Sequence, residues 1–234
     1  MSSPPPPLAP GAYRLPLFPL PLVLFPGAAL PLHIFEPRYR QLVRDVRGGH
    51  PEFGDGRFGI VLATGPGAPR AGLVGCVAAV RDVEPLPDGR SNLVVDGGAR
   101  FAVVRPVETD RPYAVAEVVP YVDDPDEEVD EDAAAALVDA LLRVHTLFAR
   151  VARAAAQLAD SEAPPASLPD DEDLAFAVAA RVEFALAERQ RVLETRSPSE
   201  RLALVGDLLE RAVGGIEARA RVHTGARSNG RGPH

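Results

Sequence analysis

The stretch that most constrains the fold lies near the N-terminus, where prolines interrupt two apolar runs. The runs are Leu15–Phe25 and Ala28–Phe35, and Pro26-Gly27 joins them. Pro followed by Gly is typical of a type II turn, because only glycine takes the positive φ of the second inner position without strain. The interrupting residues are Pro16, Pro19, Pro21 and Pro31. Since proline has no N–H to donate to a sheet, we expect edge or irregular strands here.

The pattern changes from strand to helix immediately after these runs. Tyr39, Leu42, Val43 and Val46 recur at the spacing of one helix face. Pro37 suits the first position of such a helix, where its missing N–H has no intrahelical partner to lose. The sequence therefore predicts a helix that begins at Pro37 and ends at Gly48-Gly49.

Short apolar runs separated by turn residues continue to residue 122, as is typical of β-strands. Predicted strands are Arg57–Ala63, Gly72–Arg81, Arg81–Glu84, Asn92–Val95, Ala99–Arg105 and Tyr113–Val122. Pro87-Asp88-Gly89 and Asp96-Gly97-Gly98 are predicted to be turns that separate strands. No helical crossover is visible between these strands, so we expect an antiparallel, barrel-like sheet of six or seven strands.

Composition changes sharply at Asp123–Asp132, where eight of ten residues are acidic. We interpret this run as a solvated linker that leads into the positive end of a helix. Apolar spacing predicts that helix near Glu131–Ala159, with a seam that suits packing inside the chain better than a dimer. Further helices are predicted from Asp170 or Asp171, over Ala185–Leu193, and from the capping box at Ser197-Pro198-Ser199-Glu200 to about Ala220.

These patterns give an α+β chain in four parts. Residues 1–12 are rich in proline and are predicted to be a disordered leader. Residues 13–122 form the predicted β domain, with one short helix, and residues 123–222 a C-terminal helical bundle. Residues 223–234 are polar and glycine-rich, and are predicted to be a disordered tail.

The opening motif resembles a known family. Leu-Pro-Leu-Phe-Pro-Leu, Val-Leu-Phe-Pro-Gly and Leu-Pro-Leu-His-Ile-Phe-Glu-Pro-Arg-Tyr follow one another over residues 15–39. This order is similar to the start of the N-terminal, substrate-binding domain of Lon proteases, and Gly98-Ala99-Arg100-Phe101 and residues 188–202 are similar to later parts of it. The resemblance implies a PUA-like β pseudobarrel followed by a helical bundle, here expected as a stand-alone domain protein.

The absence of lysine excludes the chemistry that full-length Lon enzymes carry. All 25 basic residues are arginine. A P-loop needs a lysine on the phosphates, and a Ser-Lys dyad needs one beside the nucleophile. We therefore expect no ATPase, no protease and no enzyme activity in this chain.

No other motif in the sequence indicates catalysis or a cofactor. The five histidines form no metal-ligand pair, and no Gly-x-Ser-x-Gly elbow is present. Cys76 is the single cysteine and lies in an apolar run, so a packed, inert thiol is expected. We expect no cofactor and no metal; a hydrolase would need reactive groups brought together by the fold alone.

The charge distribution argues against nucleic acid as a partner. The net charge is −8. Residues 1–120 have 12 Arg and 11 acids, whereas residues 121–234 have 13 Arg and 22 acids. Phosphate binding needs a basic surface, which neither half supplies. No apolar run is long enough to span a membrane and no signal-peptide pattern is present, so a cytoplasmic protein is expected.

The candidate binding surface lies where the first helix begins. Phe35, Glu36, Arg38, Tyr39 and Arg100 are predicted to contribute to a groove for exposed apolar segments of unfolded proteins. A structural role is the stronger interpretation for Glu36, which would bind backbone N–H groups or pair with Arg100.

The predicted function is therefore non-catalytic protein or peptide binding, with delivery to a separate protease as a further expectation. Phe18 and Phe25 are expected in the core. The alternative is a PUA-like small-molecule or RNA-binding protein, which a basic cleft would favour.

Overall fold

The computed structural model describes residues 10–63, 69–124, 131–159 and 173–229, together with Leu8, Gly65, Gly67 and Leu168. The predicted leader lies largely outside these residues, as do most of the acidic run and the predicted caps Asp170 and Asp171. The strands are β1 Tyr13–Leu20, β2 Ala29–Ile34, β3 Arg57–Leu62, β4 Val74–Pro85, β5 Ser91–Val107 and β6 Ala114–Pro120. The helices are α1 Pro37–Arg44, α2 Glu131–Ala159, α3 Leu174–Arg181, α4 Leu186–Glu194 and α5 Pro198–Asn229. The chain is thus α+β.

The six strands form one mixed sheet. Their order is β2-β5-β4-β3-β1-β6, and β5 also pairs with β6, so the five strands other than β2 close into a ring. The expectation of an antiparallel sheet is wrong at one pair, because β1 and β3 are parallel. The reason is that β2 and α1 lie between them in sequence, and this long connection returns the chain to the same end of the sheet before β3 begins.

The predicted turn at Asp96-Gly97-Gly98 is also wrong, because these residues lie inside β5. A Cβ atom at Gly97 would overlap the carbonyl oxygen of Phe25. Gly97 also donates its N–H to Ala28 (2.8 Å) and accepts one from Gly27 (2.9 Å). Glycine is therefore required here for space, where the Pro26-Gly27 turn lies against the strand, rather than for a turn conformation.

The Pro26-Gly27 turn has the geometry expected from the sequence. Gly27 has φ +71°, and the N–H of Ala28 donates to the carbonyl of Phe25 at 3.2 Å. Phe18 and Phe25 are both buried, as predicted. Around Phe18, α1 packs its apolar face against the sheet. That core contains Leu42, Val43, Val46, Phe58, Ile60, Leu93 and Val95.

A buried carboxylate joins α1 to the segment that precedes β6. Asp45 follows α1 directly and is only 2% exposed. It accepts hydrogen bonds from the Tyr113 hydroxyl (2.5 Å), Arg111 Nη1 (2.9 Å) and Gln41 Nε2 (2.7 Å). Burial would raise the pKa of Asp45, but these hydrogen bonds and the Arg111 charge hold that pKa below its ordinary value. The carboxylate therefore stays ionised inside the fold.

The described residues divide into two compact units, and α4 belongs to the unit that contains the sheet. The first unit spans Met1–Val122 and Ala185–Glu194, the second Asp123–Phe184 and Thr195–His234. In the first, Gln190 donates to the Val74 carbonyl (3.0 Å), and the guanidinium of Arg189 donates to the Val23 carbonyl (3.2 Å). Helix α4 thus interrupts the sequence range predicted for the helical bundle.

The second unit contains α2, α3 and α5. Arg201, at the start of α5, is buried and binds both carboxylate oxygens of Asp123, at 2.7 and 3.0 Å. Its guanidinium also lies 4.1 Å from the ring centre of Phe176.

The Ser197 hydroxyl accepts the Glu200 N–H at 3.3 Å, as its capping box predicts. Helix α5 runs to Asn229, beyond the end near Ala220 indicated by the sequence pattern. Among the described helices, none combines the length and apolar character of a membrane span.

We predict that Gly97→Ala destabilises the protein by roughly 3 kcal/mol, because the new methyl group would displace the Phe25 carbonyl and the turn that carries it. Urea unfolding followed by circular dichroism would measure the change. Gly98→Ala is the matched control, since its Cβ would lie 3.5 Å from the nearest atom, an ordinary contact. Equal stability of the two variants would contradict the close approach at Gly97.

We predict that Asp45→Asn lowers the free energy of unfolding by roughly 2 kcal/mol near pH 7, because three hydrogen bonds to a buried charge are weakened. Since folding lowers the pKa of Asp45, its ionised form stabilises the fold above its ordinary pKa of about 4, and this contribution is lost as the pH falls further. The difference between wild type and variant should therefore shrink in acid. Asp55→Asn, at an exposed pair with Arg57, should change stability by less than about 0.5 kcal/mol. A difference that grows in acid would contradict the assignment.

Candidate functional site

The predicted site lies at the corner where β2 ends and α1 begins. Ile34 is the last residue of β2 and is buried. Glu36 is held in an extended conformation (φ −68°, ψ 134°) immediately before Pro37. A residue before proline avoids the helical region, so the helix begins abruptly at Pro37. Phe35 therefore stands between a strand and a helix whose backbones are both fixed.

The Phe35 side chain is 59% exposed, although it is aromatic. Its ring stacks on the His33 ring, with centres 6.1 Å apart and planes 23° apart. His33 Nδ1 lies 2.8 Å from Asn92 Oδ1, and its Nε2 lies 3.4 Å from an Arg90 guanidinium nitrogen. The exposed aromatic side chain thus contacts a side-chain network from β2, β5 and the turn before β5.

The other side of the corner is a short column of stacked groups. Arg38 forms an ion pair with Glu36 at 2.7 Å, and its guanidinium lies 4.5 Å from the ring centre of Tyr39. The Tyr39 ring lies 3.9 Å from that of Phe18, in the core. Burial is the main cause that raises the pKa of Tyr39, and nearby Glu36 adds to it against the Arg38 charge. Tyr39 is therefore a neutral packing residue, and Arg38 covers it.

The structure brings four of the five predicted site residues together. Phe35, Glu36, Arg38 and Tyr39 lie within one corner, but only Phe35 presents a large apolar surface to solvent. Arg100 is elsewhere: it is 6% exposed and donates to the Leu193 carbonyl of α4 at 2.7 Å. The predicted pairing of Glu36 with Arg100 is wrong, because Arg38, two residues away, already binds Glu36.

Sequence reasoning missed the residues that support Phe35. His33 lies two residues before Phe35 and so projects to the same side of the strand, which the alternation rule could have indicated. Asn92 and Arg90 come from the β5 side, where Asn92 pairs with His33 in the sheet register. This register depends on which strands are neighbours, and a single sequence does not show that.

The described side chains give little support for covalent or metal chemistry. Burial raises the pKa of Cys76 to about 12, and its thiol donates a hydrogen bond to the Gly98 carbonyl at 3.3 Å. Such a thiol is not a nucleophile at neutral pH. Within the described ranges, no group of three or more His, Cys, Asp or Glu side chains is arranged to hold a metal ion.

Two depressions lie near α1 and β1. The smaller encloses about 40 Å³ between β1 and the loop at Glu52–Arg57, which is room for a few waters. The larger encloses about 400 Å³ between β4 and the loop after α1. Its lining residues are Val46, Arg47, Gly54, Gly56, Val80, Arg81, Asp82 and Val83. Only the larger has the volume of an ordinary ligand site.

Known proteins match this chain over most of its length. The family model for the ATP-dependent protease La (LON) substrate-binding domain matches residues 14–211. Lon protease of Anaeromyxobacter dehalogenans (strain 2CP-C) and Lon protease 2 of Myxococcus xanthus are each 32% identical to it over 200 residues. Each alignment covers 84% of this chain and 23% of the relative, so the chain spans about a quarter of the length of these relatives.

Solved structures agree with this match. The Lon N-terminal domain protein from Xanthomonas campestris is 29% identical, with a TM-score of 0.53, over 81% of this chain and 95% of that one. The N-terminal domain of the Mycobacterium avium complex Lon protease is 17% identical, with a TM-score of 0.56, over 84% of this chain and 98% of that one, which supports the fold. With a family model that covers residues 14–211, the chain belongs to the Lon substrate-binding domain family.

Proposed function

We propose that this protein binds exposed apolar segments of other proteins at the β2–α1 corner and performs no catalysis itself. The observation that carries the proposal is Phe35, a large aromatic side chain that is 59% exposed while its neighbours Ile34 and Tyr39 are buried. An unfolded chain offers apolar side chains that a folded protein hides. An exposed aromatic group on a fixed backbone can bind them at little cost in conformational entropy.

The surroundings of Phe35 suit recognition of many different segments. Stacking on His33 limits the freedom of the ring, and the ion pair of Glu36 with Arg38 supplies a polar rim beside it. A central aromatic anchor with a polar rim is the arrangement of energetically important sites in protein interfaces. Because the proposed contact is made by one exposed aromatic ring, we expect broad selectivity for apolar character.

The proposed absence of catalysis is supported by which reactive side chains the chain contains. Without lysine the chain has no P-loop lysine and no Ser-Lys dyad, and Cys76 is buried and protonated. We further propose that the ring of strands is a PUA-like pseudobarrel and that α2, α3 and α5 form a helical bundle. The protein would act in the cytoplasm and deliver its clients to a separate protease.

We predict that Phe35→Ala weakens binding of a permanently unfolded, fluorescently labelled protein about tenfold, as expected for loss of an aromatic anchor. Fluorescence anisotropy would measure the affinity, and the same protein in its folded form should not bind. Thermal stability should be unchanged because the Phe35 side chain is exposed. Leu142→Ala is the matched control: Leu142 is apolar and 61% exposed, but lies on α2.

Three results would count against this function: no binding of the unfolded protein by wild type, equal loss in Phe35→Ala and Leu142→Ala, or salt-sensitive binding of an RNA oligomer instead. The last result would favour the PUA-like alternative. Tyr39→Ala is not a useful binding variant, because Tyr39 is packed on Phe18 and its truncation would destabilise the core by roughly 3 kcal/mol or more.

A further inference from the structure

One flank of α1 has three arginines that no described carboxylate neutralises. They are Arg40, Arg44 and Arg47, which we call the arginine flank. Spacings of four and three residues place them on one side of α1 and of the turn that continues it. Arg44 donates to the neutral Gln41 side chain at 2.6 Å, and none of the three forms an ion pair with a described residue. Three positive charges are thus available along roughly 10 Å of helix.

This flank runs beside the outer half of β4. At one end, the Arg40 guanidinium covers Gly89 in the turn between β4 and β5 so closely that a Cβ there would overlap it. At the other end, Arg47 and the β4 residues 80–83 line the depression of about 400 Å³. Arg47, at one end of the arginine flank, and the outer half of β4 therefore form two walls of one cleft.

The β4 wall is a free sheet edge. Strand β3 pairs with β4 only from Gly75 to Ala79, and the Val80 N–H then donates to Gly56 at 2.8 Å. From Asp82 to Pro85, β4 is paired with β5 on one side, and no described strand pairs with the other. We call residues 82–85 the open edge. Pro85 fits this position because a residue without an N–H is tolerated at a sheet edge.

The open edge has a donor that faces the cleft side. The Val83 N–H donates to the side chain of the preceding Asp82 at 2.8 Å, and Asp82 lines the depression. A carbonyl oxygen of an added strand could take the place of that carboxylate. Glu84 follows the partly buried Val83, so its side chain points to the face opposite the core, away from the face that α1 covers. The Asp82 carboxylate instead lies at the Val83 N–H and lines the depression, so an added strand would displace it.

We propose that an extended protein segment with acidic side chains at alternate positions binds in this cleft as an added strand on the open edge. Backbone hydrogen bonds to the edge would supply a general affinity, and every second side chain would point toward the arginine flank. Three unpaired guanidiniums select carboxylates by charge complementarity. The inference rests on the proposed function only in taking a protein segment as the partner; it adds a second surface and an acidic specificity to it.

The test uses the whole protein and a labelled peptide of about six residues, the length of a typical strand, with Glu and Thr alternating. A peptide with Gln in place of Glu removes the charge alone. A third peptide, N-methylated at alternate residues, removes the backbone donors alone. Fluorescence anisotropy at low and at physiological salt would give the affinities.

We predict that R44Q/R47Q binds the Glu peptide about tenfold more weakly than wild type, as expected for the loss of two partly exposed ion pairs. The Gln and N-methylated peptides should bind wild type at least as weakly. R70Q is the matched control, because Arg70 is exposed and lies before the other end of β4, and it should stay within about twofold. Arg40 is left in place because it packs over Gly89.

Equal affinity of wild type and R44Q/R47Q for the Glu peptide would overturn the inference, as would equal binding of the Glu and Gln peptides. Stronger binding of an RNA oligomer, lost in R44Q/R47Q, would reassign the cleft to phosphate. The affinities of wild type and of Phe35→Ala for the labelled unfolded protein distinguish the two proposals. If the unfolded protein binds through Phe35 but the Glu peptide does not bind, only the proposal for the acidic segment is overturned. If the Glu peptide binds but the unfolded protein does not bind through Phe35, only the proposed apolar site is overturned.

Discussion

The close approach of two backbone segments organises the sheet. The Pro26-Gly27 turn lies against β5 through two hydrogen bonds, from Gly27 to Gly97 and from Gly97 to Ala28. These bonds begin the pairing of β2 with β5, and that pairing sets the position of Phe35 and of α1. The contact exists only because Gly97 has no side chain. The corner that we propose to bind proteins therefore depends on a glycine far from it in sequence.

Local chemistry made several elements predictable from the sequence. Pro37 starts α1, Gly27 completes its turn, and the Ser197 capping box starts α5, because each depends on residues next to one another. Prediction from the sequence failed where the structure depends on contacts between residues that are far apart in the chain. The parallel pairing of β1 and β3, the continuity of β5 through Gly97, and the packing of Arg100 against α4 all depend on which segments meet in space.

In the candidate site, too, features set by neighbouring residues were predictable and features set by distant contacts were not. The motif around Phe35 identified the corner, and the alternation of β2 places His33 on the same side. The spacing of the apolar residues in α1 already placed Tyr39 on its packed face. The exposure of Phe35 and the free edge of β4 were not visible, because exposure depends on what packs nearby. The apolar and the charged surfaces that we propose for recognition are separate parts of one unit, at the start of α1 and along its arginine flank.

The place of α4 in the sequence affects how the chain can fold during synthesis. All six strands have been made once Pro120 has left the ribosome, but α4 follows only when Glu194 has been made, after most of the second unit. Until then, nothing from α4 satisfies the Val74 carbonyl or the Arg100 guanidinium. Although domains generally fold in order from the N-terminus, this sheet reaches its final state only after much of the C-terminal helical sequence has emerged.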